Sequence, residues 1–250
     1  VSEETVNAAT PGMPDGSSFS KRGRLADAVI EHLTNAIVTG IYPEGKALPT
    51  ETALCEMYKV SRTVIREVST TLAEKGLIVS QQGRGTTVQE QSKWNLLDAT
   101  VLAALFRRDD GLTYLDSLIE IRLLLECAMS SRAAERITDD EVAELRSILT
   151  RLKSISADPV AYGAADLEFH DFIMKVSGNK LGRAIINGIQ GQALATRDYH
   201  GHPTLSDIEA THQAHEAIVN AIEQHEPEAA ARAMHDHIEG SWKHRRRTAG

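Results

Sequence analysis

The sequence predicts a mainly α-helical protein in two parts: a small head holding one β-hairpin, and a larger body that is helical throughout. Three observations carry this. Apolar residues recur at three- and four-residue intervals along most of the chain, the period of a helix face. Two β-prone runs, Leu77-Ile78-Val79 and Thr86-Thr87-Val88, flank Gly83-Arg84-Gly85 and read as a hairpin. Beyond residue 95 there is no strand pattern. Low aromatic content, 4%, with Leu, Ile, Val and Ala dominant, agrees with a helical core.

The chain of 250 residues is long enough for one large domain or two ordinary ones. Cys55 and Cys127 lie far apart and form no metal or redox pattern, which points to a reducing compartment. No apolar run approaches the roughly 20 residues that span a bilayer, and residues 1–20 lack the charged-then-apolar layout of an export signal. The expected location is therefore the cytoplasm, with no membrane partner. The net charge of −8 is uneven: residues 18–88 carry +2 and residues 89–250 carry −7. A slightly basic block on an acidic body is compatible with a nucleic-acid-binding head.

Residues 1–20, rich in Ser, Gly, Pro and Thr, read as a disordered leader. Leu25, Val29, Leu33 and Ile37 then mark a helix of about four turns ending at Gly40. After the turn Ile41–Gly45, Leu48-Pro49 sets up Thr50 as the cap of a short helix reaching Tyr58. Lys59-Val60 leads into a second helix capped by Ser61, with Val64, Val68 and Leu72 as its inward stripe and Gly76 as its C-cap. Two short helices so closely joined form a helix-turn-helix, and the hairpin after them forms a wing. Ser61, Arg62, Thr63 and Arg66 gather at the amino end of the second helix, where backbone N–H groups favour phosphate. Arg can grip guanine bidentately there, and Thr can touch a base methyl or a phosphate. Taken alone, the same residues could be the solvated face of an ordinary amphipathic helix. The order of helix, helix-turn-helix and basic wing favours the DNA reading.

Residues 24–88 resemble the DNA-binding domain of the GntR family of bacterial transcription regulators. The resemblance rests on Gly40-Ile41, Gly45, Leu48-Pro49-Thr50-Glu51, Ser61–Glu67, Leu72, Gly76-Leu77-Ile78 and Gly83-Arg84-Gly85-Thr86. It implies that Arg62, Thr63 and Arg66 contact the operator and that the wing, Gly83 to Gly85 with Arg84 at its tip, enters the minor groove. One position departs from the family pattern. The family usually places an Arg directly after the Leu-Pro-x-Glu run, and here that position is Thr52.

Residues 89–95 are polar apart from Trp94 and read as a linker between the head (21–88) and the body (96–246). Helical periods in the body place seven helices near 96–107, 112–135, 138–155, 159–176, 180–198, 205–224 and 227–246, an all-α bundle. Asp166 and His170 are four apart and share a face, with Phe169 and Ile173 beside it. His215 lies with Ile218, Val219 and Ile222, and His237 with Ala230, Ala233 and Met234. One carboxylate and three imidazoles from three helices can converge inside a bundle. That ligand set suits Zn, Ni, Mn or Fe better than Ca or Mg. A single inward histidine is more often a hydrogen-bonded core residue, and His212, His225, His235 and His244 crowd the same stretch. Arg122, between aliphatic neighbours, must be paired if buried. It reads either as a structural ion pair with Glu126 or as a bidentate clamp on a ligand carboxylate. Arg197 and Asn187 are further ligand candidates, while His200-Gly201-His202 reads as a loop.

Residues 96–246 resemble the FCD ligand-binding domain that follows the winged helix in the FadR-type branch of the family. Many members bind a divalent metal through an Asp-x-x-x-His pair and two later histidines. Asp166, His170, His215 and His237 fall on those positions, and Arg122 on a position used as a carboxylate clamp. The Trp94–Asp98 and Leu54-Cys55-Glu56 runs resemble the sugar-acid (galactonate-type) members. The resemblance implies a metabolite-responsive regulator, a homodimer and a repressor, that reads a pseudo-palindromic operator. A small carboxylate effector, a sugar acid or hydroxy acid, is expected beside a divalent metal, Zn first. The rival is a metal-dependent hydrolase or isomerase using the same centre. Against it, no dedicated general base accompanies the four ligands, and the winged helix would have no role.

Overall fold

The computed structural model describes residues 17–81, 85–194, 199 and 204–248. The chain divides into two compact units, Val1–Asn95 and Leu96–Gly250.

In the first unit, α1 (Ser17–Val38) begins eight residues before Leu25 opens the apolar period, inside the stretch expected to be a leader. Its buried face is Ala26, Val29, Leu33 and Ile37, whereas Leu25 is 47% exposed. A row of i+4 steps drifts about 40° per step around a helix of 3.6 residues per turn, so a four-member row cannot stay on one face. The helix closes on Gly40, in the left-handed region at φ 80°. α2 (Glu51–Tyr58) is capped by Thr50, whose hydroxyl accepts from the Ala53 N–H at 3.2 Å. Lys59, left-handed at φ 54°, ends it. α3 (Arg62–Glu74) follows at once, with the Ser61 hydroxyl accepting from the Val64 N–H at 3.4 Å. Val64, Ile65, Val68 and Leu72 are buried, which turns Arg62, Thr63 and Arg66 outward. β1 (Ile78–Gln81) pairs antiparallel with β2 (Gly85–Val88), Ile78 opposite Val88 and Gln81 opposite Gly85. Residues 45–48 line the other edge of β2 through the Gly45 N–H to Val88, the Val88 N–H to Lys46 and the Leu48 N–H to Thr86, each 2.9 Å.

The stretch 89–95 is not a loose connection. Gln91–Lys93 forms a 3-10 turn, and Trp94 is buried with its indole N–H donating to the Gln89 carbonyl at 3.0 Å. The Asn95 N–H bonds the Lys75 carbonyl at 2.9 Å. Gly76 makes this fit possible: it is left-handed at φ 74°, and a Cβ there would strike the Lys93 carbonyl. The apolar indole, set among polar neighbours, is what fastens the segment to the first unit.

Among the described residues the second unit contains seven helices: α4 (Ala99–Phe106), α5 (Gly111–Arg136), α6 (Asp139–Ser154), α7 (Pro159–Val176), α8 (Lys180–Ala193), α9 (Leu205–Glu223) and α10 (Pro227–Thr248). α5 and α10 pack along each other, α7 and α8 lie against α5, and α9 packs on α10 and α6. One core runs through them, with Phe106, Leu115, Leu118, Phe169, Ile218 and Ile222 fully buried. Helix starts are locally specified: Thr138 with Glu141 and Thr204 with Asp207 form capping boxes, and Asp98 and Asn179 cap α4 and α8. No helix among the described residues is long and apolar enough to cross a membrane.

Candidate metal centre, ligand cavity and nucleic-acid interface

On the head, Arg62, Thr63 and Arg66 form an exposed face at the amino end of α3. The first turn of α2 steadies both guanidiniums. Arg62 Nη2 donates to Thr52 Oγ1 at 3.5 Å, and Arg66 Nε to Glu51 Oε2 at 3.4 Å. Long, solvated contacts of this kind hold little energy, so they orient the side chains and yield readily to another partner. Ser61 acts as the cap that starts α3. Gly83 and Arg84 lie outside the described residues.

In the bundle, the structure brings together the four residues that the spacing singled out. Asp166 and His170 on α7, His215 on α9 and His237 on α10 each offer a ligand atom, and these atoms all lie within 4.8 Å of one another. Nε2 of His237 is 3.1 Å from Nε2 of His170 and 3.3 Å from Nε2 of His215, and His215 Nε2 is 3.2 Å from Asp166 Oδ1. Ligand atoms about 2.0–2.1 Å from one ion sit about 3.0–3.4 Å apart when adjacent, and these three spacings fall in that range. Three imidazole nitrogens and a carboxylate oxygen gathered at one point can all direct lone pairs at a single ion. The three rings are buried and Asp166 is partly so. Burial first, then the neighbouring imidazoles, pushes His237 well below its ordinary pKa; burial likewise lowers His215. Burial would raise Asp166, but its hydrogen bond to His215 and the surrounding imidazoles hold it far below the usual carboxylate range. Neutral imidazole and ionised carboxylate are the forms that bind a metal.

The other histidines sort away from this centre. His225 bonds the Ala134 carbonyl, His235 is exposed beside Asp236, and His244 pairs with Asp207. His212 is buried near Glu216 but does not join the four.

A support shell stands behind His170. Its Nδ1 is 2.7 Å from Glu126 Oε2, which orients the ring and leaves Nε2 for the centre. Glu126 also accepts from Arg122, Nε to Oε1 at 2.5 Å and Nη2 to Oε2 at 3.4 Å, and Arg122 Nη1 donates to the Tyr199 hydroxyl at 2.8 Å. Burial alone would raise the Glu126 carboxyl; Arg122 and His170 bring it down to about 2. The structural ion pair is therefore present. Arg122 also lines a cavity of about 430 Å³ with Asp166 and His237, so the clamp position is reachable by a ligand as well.

The cavity holds residues that the sequence reading passed over. On α10, His237, Ser241 and Arg245 follow at four-residue steps and all line it. That spacing is present in the sequence, but only the packing of α10 shows which residues of the helix end meet the cavity. Arg245 is half-buried, its Nη1 donating to the Tyr199 carbonyl at 2.7 Å and its guanidinium lying 5.2 Å over the Tyr199 ring. Tyr162, Gln190 and Thr211 line other walls. Asn187 does not join them. It is exposed on α8 and donates to Asp171 at 2.6 Å, beside the Arg183–Asp171 pair. The cavity-lining residue of that helix is Gln190, three positions later and buried. Arg197 and the His200-Gly201-His202 run lie outside the described residues.

Comparison with known proteins accounts for both units. Residues 25–88 match the model of the bacterial regulatory proteins of the gntR family, and residues 117–240 match the FCD domain. The chain is 31% identical over 210 residues to the galactonate operon transcriptional repressor of Escherichia coli K12, covering 83% of this chain and 90% of that protein. It is 29% identical over 225 residues to the transcriptional repressor NanR of Enterobacter sp. strain 638, covering 87% of this chain and 84% of that one. Among solved structures it shares its fold with Lar, which controls expression of the Listeria monocytogenes agr system. The identity is 16% and the TM-score 0.59, over 90% of this chain and 96% of that one. These relatives are regulators and not enzymes. The outward arginines of α3, the wing and the helical bundle thus belong together: the chain is a DNA-binding transcription regulator of the GntR family, in the branch that carries an FCD domain.

Proposed function

We propose that the protein is a homodimeric repressor released from its operator by a small hydroxylated carboxylate, a sugar acid or related hydroxy acid, held beside a divalent metal. Asp166, His170, His215 and His237 hold the ion, Zn first by donor set, with Ni, Mn and Fe as alternatives. When bound, the ion supplies a Lewis-acidic point for the carboxylate and hydroxyl oxygens of the ligand. Arg122 supplies charge-assisted hydrogen bonds to the carboxylate while Glu126 keeps it in place, and Arg245 lines the same cavity. Arg62, Thr63 and Arg66 read base edges in the major groove, Ser61 starts the reading helix, and Gly83 and Arg84 supply the wing contact. The two heads of a dimer read a pseudo-palindrome. The sugar-acid class is supported by the likeness to the galactonate operon repressor. The carrying observation is that four donors converge, and that two of them, Asp166 and His237, line one cavity with a buried, pre-paired arginine.

The test is an operator-binding titration at fixed salt, because phosphate contacts make affinity salt-dependent. Six-carbon aldonates, galactonate included, are added to metal-loaded and chelator-treated protein. Release of DNA by an aldonate from the metal-loaded form, and its loss after chelation, is expected. Release that ignores chelation contradicts the metal's part. No release by any acid contradicts the effector class.

A further inference from the structure

Outside the metal centre, one side-chain polar atom among the described cavity-lining residues is both buried and unpaired. Tyr162 is 5% exposed, its hydroxyl is fully buried, and that hydroxyl has no hydrogen-bond partner among the described residues. Tyr162 nonetheless lines the cavity. A buried unpaired hydroxyl is costly, and native proteins keep few of them without a reason. Burial, with Asp166 and Glu209 nearby, raises the phenol's pKa, so it stays protonated and can donate.

Its position gives the reason. Tyr162, Asp166 and His170 follow at four-residue steps on α7 and therefore share one face. Tyr162 stands one turn beyond Asp166, about 6 Å along the axis at 1.5 Å per residue. A ligand that rests its carboxylate end on the centre and extends along this face of α7 passes the Tyr162 side chain. On α10, Ser241 and Arg245 extend away from His237 in the same stepwise manner, and buried Gln190 adds a further hydrogen-bonding side chain. The cavity of about 430 Å³ is far larger than a three-carbon hydroxy acid requires.

We infer that Tyr162 is a specificity-determining residue whose hydroxyl pairs with a ligand hydroxyl beyond the one adjacent to its carboxylate, so that the ligand is a polyhydroxylated acid. The inference rests on the effector reading above. A site built around a buried polar group rejects an analogue that leaves the group unpaired, often by several orders of magnitude.

The test compares direct binding of a panel of six-carbon aldonates with that of 2-hydroxyhexanoate. This acid keeps the carboxylate and adjacent hydroxyl but has none beyond. Both are titrated into metal-loaded full-length parent and Tyr162→Phe. In the parent, at least one aldonate is expected to bind about 100-fold or more tighter than 2-hydroxyhexanoate. Tyr162→Phe is expected to weaken that aldonate about tenfold or more while leaving 2-hydroxyhexanoate unchanged. Ligand-free melting temperature and metal content should not fall, since the variant removes an unpaired group; a purely structural role would lower the melting temperature. Equal aldonate affinity in parent and variant overturns the role of Tyr162 alone. Equal affinity of the parent for the two kinds of acid overturns the polyhydroxylated class. Failure of the parent to bind any of them overturns the effector reading and this inference with it.

Discussion

The two units use the same side chain in opposite surroundings. In the head, Arg66 has a side chain 69% exposed and rests on Glu51 through one long contact. In the bundle, Arg122 has a side chain 4% exposed and is held by Glu126 at 2.5 Å and by Tyr199. A solvated guanidinium can leave its neighbour for a base edge at little cost. A buried one needs a built partner before any ligand arrives, because an unpaired charge there is prohibitive. On the proposed function, recognition in the head falls to residues the fold can spare, and in the bundle to residues the fold depends on.

The largest expected effect tests that dependence. Glu126→Ala strands the Arg122 charge and frees the His170 ring, and should cost about 3–5 kcal/mol of unfolding free energy. Denaturant unfolding checks it, and a loss below about 1 kcal/mol would mean that Arg122 is not held as described. The same group contributes to the acid behaviour. Its carboxyl titrates at about 2 against an ordinary 4.5, so its stabilisation is present above 4.5 and fades as pH falls toward 2. His215 and His237 have depressed values, so the folded state refuses protons that the unfolded chain accepts below about 6.5. Both signs agree. The unfolding free energy of metal-free protein should be level above pH 7 and decline steadily on acidification below 6.5. Stability that rises on acidification would contradict the arrangement.

The head should show the reverse pattern. Arg66→Ala should change stability by less than about 0.5 kcal/mol, while specific operator binding falls by about 1–3 kcal/mol. Footprinting and chemical unfolding of the same preparation separate the two. A large stability loss would place Arg66 in the structural class with Arg122. A smaller effect belongs to the turn between α2 and α3. Lys59 holds φ 54°, so Lys59→Val puts a β-branched residue in the left-handed region. It should cost about 1–2 kcal/mol, and Lys59→Gly should not.

The same contrast explains what could be read from the residues. The helix-turn-helix and the hairpin were legible because each depends on neighbours in sequence: the Thr50 and Ser61 caps, the Val64–Leu72 stripe, the glycines at the turns. The convergence of Asp166, His170, His215 and His237 was readable because helical spacing put each on an apolar face, and the family resemblance supplied the set. Glu126 could be named as a partner of Arg122 from its i+4 position, but its bond to His170, 44 residues away, could not. Nor could the burial of Trp94, which turns an expected linker into part of the head. Asn187 and Gln190 differ by three positions on one helix. Only the tertiary packing of α8 decides which of them meets the cavity. Nor was Arg245 legible, since only the packing of α10 shows which residues of the helix end meet the cavity.

Metal content tests most directly whether Asp166, His170, His215 and His237 hold one ion. Parent, His215→Ala and His235→Ala are purified without chelators, dialysed against buffered Zn and analysed for bound metal per chain. His235 is the control, since it is exposed beside Asp236 and stands outside the cluster. About one ion per chain is expected in the parent and in His235→Ala, from four ligands of borderline softness, and little or none in His215→Ala. A parent without metal, or a His215→Ala protein that retains it as fully as the parent, would contradict the account.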